Sequence, residues 1–340
     1  MATLAAIDTE PKVTARRGIY EPFNEYHQCW YPVALAVEIR RGDVKSLKFC
    51  DSRIVVFRGS DGVVRAMSAR CKHMGADIGL GQVVGNNVQC PYHHWEYNGT
   101  GACVRIPSGD KVPNDTTLFT FPCEEVQGLI WVFLGKEPIY PVPFVPNCED
   151  GKVLSRSFEL VLETPIRVEP WVFSTNSFDF AHFKTVHHFD MKNLKTVQDE
   201  NLMYWESDIE ITDEGKEFKG FMRLDAIGTT SVITYMKQDG EAAKRHVVGL
   251  LPKGDDGLGI FFTVFAELED DSEKAHKDAV RRLDELERLH RIIPLEDVDV
   301  LNSIEFGKVR LTEVDKELAT YLGFVNRFPR TTIRKLEAGD

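Results

Sequence analysis

The 340-residue chain predicts an α+β protein: an all-β unit first, then an antiparallel sheet with helices gathered on one side. Three observations predict it. Between His27 and Phe133, short strand-like runs alternate with turn signals. The decade from Glu137 to Pro146 holds four prolines, which neither a strand ladder nor a helix interior accommodates. After it come longer strand-like runs and then helical segments in which Glu, Arg and Lys interleave. Residues 1–26 read as an N-terminal arm, 27–137 as the β domain, 138–148 as a Pro-rich linker and 149–340 as the second domain. A hydrophobic content of 43% is enough for a core in each domain.

In the first domain the expected strands are Trp30 to Val37, Ser46 to Cys50, Ile54 to Phe57, Val63 to Met67, Leu118 to Pro122 and Leu129 to Phe133. Asp61-Gly62, between two of these runs, is a hairpin signal. In the second, a strand-like run from Phe158 to Val168 precedes a helix start at Glu169-Pro170-Trp171, with proline near the first turn. Strands follow near Phe218 to Leu224, Ser231 to Lys237, His246 to Leu251 and Gly259 to Leu268. Helices are expected over Glu273 to Ile293, Leu295 to Phe306 and Glu313 to Leu322.

Charge and cysteine usage narrow the function classes. The chain has 41 basic and 53 acidic residues, a formal charge of −12, which argues against a nucleic-acid partner or an anionic membrane surface. No run of about 18 apolar residues predicts a transmembrane helix. Met1 to Lys12 reads as neither a secretory signal nor an anchor. Seven cysteines without a signal point to a reducing compartment, and a cytoplasmic location is expected. Cys29, Cys50, Cys103, Cys123 and Cys148 read as small buried hydrophobes.

Cys71-x-His73 and Cys90-Pro-Tyr-His93, with 16 residues between them, are the first chemical motif. Two thiolates and two imidazoles so spaced can divide across a 2Fe-2S cluster, cysteines on one iron and histidines on the other, the Rieske arrangement. Histidines in place of two thiolates raise the potential, to roughly −150 to +300 mV for the class. Zinc is the alternative for four such donors. Finger sites usually group Cys with Cys and His with His, whereas each loop here contributes one of each. Gly75, Gly79, Gly81 and Pro91 supply the turns such loops need.

The second motif runs from Asn176 through Asp179 and His182 to His187. Two neutral imidazoles and a carboxylate form the facial triad of non-haem Fe(II) oxygenases. Asp179 and His182 share a helix face. His182 and His187 lie about 140° apart on an ideal helix, so the helix must end or distort before both reach one metal ion. Spacing favours His187 over its neighbour His188. Glu296, Asp297 and Asp299 follow Pro294 at what reads as a helix start, where the macrodipole alone also favours acids.

Taken together, these residues resemble the terminal oxygenase α subunit of the Rieske non-haem iron oxygenase family over nearly the whole chain. The resemblance implies a Rieske 2Fe-2S cluster at Cys71, His73, Cys90 and His93, Fe(II) at His182, His187 and Asp297, and a helix-grip catalytic domain. It also implies roles for Asn176 and Asp179. In relatives the acid often precedes a Gln eight residues on and a Gly ten residues on. Here Gly307 matches and Glu305 replaces the Gln, leaving Asp297 with Asp299 as the fallback. The resemblance further implies a head-to-tail homotrimer in which Asp179 accepts hydrogen bonds from His182 and from a neighbour's His93.

The wording around the motifs resembles the branch of 3-ketosteroid 9α-hydroxylase oxygenases. That implies hydroxylation or oxidative demethylation of a bulky apolar or polycyclic substrate such as a steroid or aromatic, with O2. Phe173, Phe178, Phe180, Phe183, Met236, Phe261 and Phe262 are candidates for a pocket or for core. No Gly-x-Gly-x-x-Gly fingerprint follows a strand, so NAD(P)H electrons are expected through a separate reductase or ferredoxin. The alternative is a Rieske electron carrier with a non-catalytic second domain. Arg70, Lys72, Arg105 and Lys111 lie near the cluster loops and suit an acidic electron donor. Lys72→Glu should then slow reduction by such a donor and flatten its dependence on salt; stopped-flow rates that do not change would remove that role.

Overall fold

The structure, a computed structural model, describes residues 25–148, 152–213, 216–304 and 310–339. Most of the expected arm, and the expected Glu305 and Gly307 positions, lie outside the described residues.

The first domain is built from small antiparallel sheets. One orders Thr120–Phe121, Val64–Ser68, Ser52–Arg58 and Val44–Phe49; a second orders Cys123–Val126, Leu129–Phe133 and Trp30–Leu35. A third carries Gln82–Val84, Asn87–Gln89, Glu96–Tyr97 and Cys103–Arg105, strands of two or three residues that the sequence does not suggest. The Asp61-Gly62 turn is present. Gly62 has φ +83°, and Asp61 Oδ1 accepts the Val63 N–H at 3.0 Å. The expected Leu118–Pro122 strand is confined to Thr120–Phe121.

Proline removes backbone donors, so the segment after Lys136 is held by side chains instead. Gln127 Nε2 donates to the Val145 carbonyl at 2.8 Å and Gln127 Oε1 accepts the Val145 N–H at 2.7 Å. Tyr140 is buried, and its carbonyl accepts the indole N–H of Trp30 at 2.9 Å. Gly228, at φ +63°, makes room for it, since a Cβ there would lie 2.1 Å from the Tyr140 hydroxyl. A Cβ on Gly249 would likewise stand 2.7 Å from both Pro32 and Trp131. The two domains therefore meet backbone to side chain, and one hydrophobic core runs through both.

The second domain is a seven-stranded antiparallel sheet in the order Val153–Leu160, Leu258–Glu267, Lys244–Pro252, Ser231–Gln238, Lys216–Ile227, Leu202–Asp213 and Phe189–Gln198. The last two strands go beyond the sequence expectation. Their outer faces carry cross-strand ion pairs, such as Lys195 with Glu206 at 3.0 Å, so hydrophobic runs do not announce them. The run expected to reach Val168 stops as a strand at Leu160, five residues before the donor-less Pro165.

Helices pack across this sheet. Ser272 Oγ caps the longest by accepting the Ala275 N–H at 3.1 Å, and the helix runs from Glu273 to Ser303. Two helices divided at Pro294 are the sequence expectation; the structure has one continuous helix. Pro294 forfeits one helical hydrogen bond but sits on the buried stripe of Ala279, Leu283, Leu286, His290, Val298 and Leu301. Burial of each leucine is worth about 1.5–3 kcal/mol, enough to carry the helix past the break.

Two segments far apart in the described chain are tied together. Tyr26–His27 pairs with Arg330–Thr331, and Arg330 donates to buried Glu169 at 3.0 Å. Burial pushes the Glu169 carboxyl up while Arg330 opposes it. Arg330→Met should cost about 3 kcal/mol by leaving that acid unpaired, and adding Glu169→Gln should restore part of the loss; chemical denaturation of the single and double variants measures both.

Candidate metal centres

The two Cys/His loops are built alike. The Cys71 N–H donates to the Ala76 carbonyl and the Gly75 N–H donates back to the Cys71 carbonyl, at 2.9 and 2.8 Å. Nineteen residues later, counted from the sequence, Cys90 N–H bonds the Trp95 carbonyl at 2.8 Å and His94 N–H bonds the Cys90 carbonyl at 3.1 Å. The fourth residue after each cysteine turns the chain with positive φ, Gly75 at 74° and His94 at 56°. The same turn thus presents each cysteine inward and each histidine outward. Cys71 and Cys90 are buried and His73 and His93 exposed.

The two imidazoles meet with ring centroids 4.5 Å apart, and His73 stacks on Trp95 at 4.7 Å and 5°. Burial, opposed by the Tyr92 N–H and reinforced by the neighbouring Cys71 sulfur, pushes the Cys90 thiol up. Tyr97 is a further residue of this site. Its phenol oxygen accepts the Lys72 N–H at 3.0 Å and lies 3.1 Å from Cys71 Sγ, where its O–H can donate to a thiolate. Sulfurs inside and imidazoles outside suit the donor set of a 2Fe-2S cluster with Cys on one iron and His on the other. Of the nearby basic residues, Arg105 is held by Glu96 at 2.6 Å, whereas Arg70, Lys72 and Lys111 are exposed.

The second set forms where a short helix ends. Asp179 Oδ1 caps the Phe180–Thr185 helix by accepting the backbone N–H of His182 at 2.9 Å. Val186 closes the last turn on the His182 carbonyl at 2.9 Å, so His187 leaves the helical path. His182 Nε2 and His187 Nε2 come within 3.1 Å of each other, and Asp297 Oδ1 lies 3.7 Å from His182 Nε2. Ligand atoms of all three lie within 4.8 Å of one another, a donor set that fits a divalent metal ion. His188 is exposed, with φ 58°.

Among the three acids, the long helix turns Asp297 toward the histidines. Asp299 is exposed, and Glu296, also exposed, lies 3.8 Å from His187 Nδ1, whereas it is His187 Nε2 that faces His182. Asn176 Nδ2 donates to Asp297 Oδ2 at 3.1 Å, which leaves Oδ1 turned to the histidines. Burial first, and then the His182 ring, lower the His187 imidazole, so it favours the neutral form that a ligand needs. Behind them Phe183 packs edge-on to His187 and to Trp205, whose indole donates to the Ser177 carbonyl at 2.7 Å. Phe178 and Phe261 are core residues, the former stacked on Tyr321 at 4.5 Å.

Fold and sites define a Rieske-type protein with a second, sheet-and-helix domain. Residues 29–122 match the Rieske [2Fe-2S] domain. The chain is 31% identical over 166 residues to cholesterol 7-desaturase of Bombyx mori, covering 48% of this chain and 36% of that protein. It is 27% identical over 237 residues to a probable 3-ketosteroid-9-alpha-monooxygenase oxygenase component of Rhodococcus rhodochrous, 68% of this chain and 56% of that one. Dicamba monooxygenase bound to dicamba shares the fold at TM-score 0.68 and 17% identity, over 92% of this chain and 99% of that chain. NdmA of Pseudomonas putida CBB5 does so at 0.63 and 21%, over 92% and 90%. The chain thus carries a Rieske [2Fe-2S] domain and is similar in sequence and fold to these oxygenases, and it spans between 24% and 56% of the length of the eight curated relatives compared with it.

If Asn176 orients the acid, Asn176→Leu should weaken binding of Co(II) at the three donors about 10–100-fold with little change in thermal unfolding; titration followed by the visible cobalt spectrum tests it.

Proposed function

We propose that this chain is a terminal oxygenase component. In this reading Cys71, His73, Cys90 and His93 hold a Rieske cluster, and His182, His187 and Asp297 hold Fe(II). The cluster would supply single electrons and the iron an open face for O2. The observation that carries the reading is the meeting of His182 and His187 with Asp297, from a helix more than a hundred residues downstream, within 4.8 Å.

The chain's own residues then have definite tasks. Tyr97 and the Lys72 backbone support the buried sulfur side, while the outward histidines offer an exit for electrons. Asn176 fixes the carboxylate, and the Phe183 and Trp205 rings keep water from the back of the histidines. Around His73 and His93 the surface exposes Met74, Leu80 and Tyr92, at 64%, 76% and 62%. Such an apolar rim suits a neighbouring subunit, and supports a homotrimer in which Asp179 links one chain's His182 to the next chain's His93. NAD(P)H electrons would arrive through a partner reductase or ferredoxin, in the cytoplasm. A bulky apolar or polycyclic compound, a steroid or aromatic, is the substrate class for hydroxylation or oxidative demethylation.

Iron counting tests this directly. Anaerobically reconstituted protein should hold three irons per chain, and His182→Ala should hold two with an unchanged Rieske electron paramagnetic resonance signal and at least a hundredfold lower turnover, an order set by ligand loss. Two irons in the native chain, with full activity and indifference to His182→Ala, would mark an electron carrier instead.

A further inference from the structure

A second pair of histidines lies in the catalytic domain, apart from both metal centres. His290, on the buried stripe of the long helix, places Nε2 3.0 Å from Nδ1 of His246 on the Lys244–Pro252 strand. His290 Nδ1 is 2.7 Å from the Leu286 carbonyl. A carbonyl can only accept, so this nitrogen carries the proton and donates. Both rings are driven toward neutrality by burial. Neutral His290 therefore presents an unprotonated Nε2, and His246 must donate to it from Nδ1. The remaining nitrogen, His246 Nε2, is then an acceptor.

That acceptor is unused and reachable. No described residue bonds to it, and it is not among the occluded polar atoms that lack a partner. His246 is half-buried, so its ring keeps accessible area. The face is the one that carries the metal centre. In cross-strand register His246 pairs with Thr234, Thr234 with Leu224, and Leu224 with Trp205. Directly paired residues share a face, and Trp205 packs on Phe180 and Phe183 beside His182 and His187. On the other wall, His290 and Asp297 are seven residues apart on one helix, nearly the same face and about 10 Å along the axis.

We propose that His246 Nε2 receives a hydrogen bond from a hydroxyl or N–H group of the substrate, on the sheet face it shares with Trp205 and remote from His182, His187 and Asp297. His290 is the positioning residue that holds His246 in the accepting tautomer. The substrate class is thereby sharpened to an apolar compound roughly 10 Å long with a donor at the end away from the carbon that reacts. The identity of the occupant as substrate rests on the oxygenase reading; the acceptor site does not.

Equilibrium binding to the iron-loaded protein separates the two. The probes are 4-phenylphenol, with one O–H donor, and its methyl ether 4-methoxybiphenyl, with none. Native protein should prefer the phenol about tenfold, the scale of one buried hydrogen bond. His246→Phe should abolish the preference while the ether binds within about twofold of native. His290→Phe frees the His246 tautomer and should cut the preference to below about threefold. Equal affinity of the native protein for both probes, absence of binding included, overturns the proposal, as does a preference that survives His246→Phe. Three irons per chain alongside such a result would leave the oxygenase reading standing; two irons with a phenol preference lost in His246→Phe would leave the acceptor site standing without it.

Discussion

One packing contact governs the second domain: the buried stripe of the Glu273–Ser303 helix against the inner face of the seven-stranded sheet. Asp297 reaches the histidines only because that stripe is seated in one register. A slide of one turn, about 5.4 Å, would carry it beyond the 4.8 Å within which the three ligand atoms now lie. The same seating sets His290 on His246 and Arg156 against Asp284 and Glu287. Pro294 is tolerated because apolar burial on either side of it outweighs one missing backbone hydrogen bond.

The first domain solves its problem locally. Each loop uses the same pair of backbone hydrogen bonds and the same left-handed residue to aim a sulfur inward and an imidazole outward. Such a turn needs little from the rest of the fold, which is why it can sit on strands of two or three residues. What the fold adds is Tyr97, buried under the Cys71 sulfur, and the Trp95 face on which His73 stacks. Neither residue is marked by spacing, because tyrosine and tryptophan in a short strand read as ordinary core.

Legibility follows the range of the interaction. Strands with an apolar face, such as Leu129–Phe133 and Leu258–Glu267, stand out in the sequence because both faces or one full face is buried. The Phe189–Gln198 and Leu202–Asp213 strands do not, because cross-strand pairs of Lys and Glu replace hydrophobic alternation, and a bulge at Asn193 breaks their period. Pro294 misleads for a similar reason: its local preference is to end a helix, and only tertiary burial overrides it. The aromatic residues early in the second domain were open to either role, and the structure divides them, Phe178 stacked into the core and Phe180 and Phe183 backing the histidines through Trp205.

The sequence by itself determined the chemistry on offer: which loops carry paired Cys and His, that a helix must end between His182 and His187, and that two domains flank a proline-rich crossing. These are short-range matters, decided by side-chain type and turn geometry over a few residues. Only the tertiary structure decided which of Glu296, Asp297 and Asp299 faces the histidines, that Asn176 holds that acid, and that His290 sets the proton on His246. Each depends on a helix and a sheet meeting in one register across more than forty residues of chain, and nothing in local spacing encodes that register.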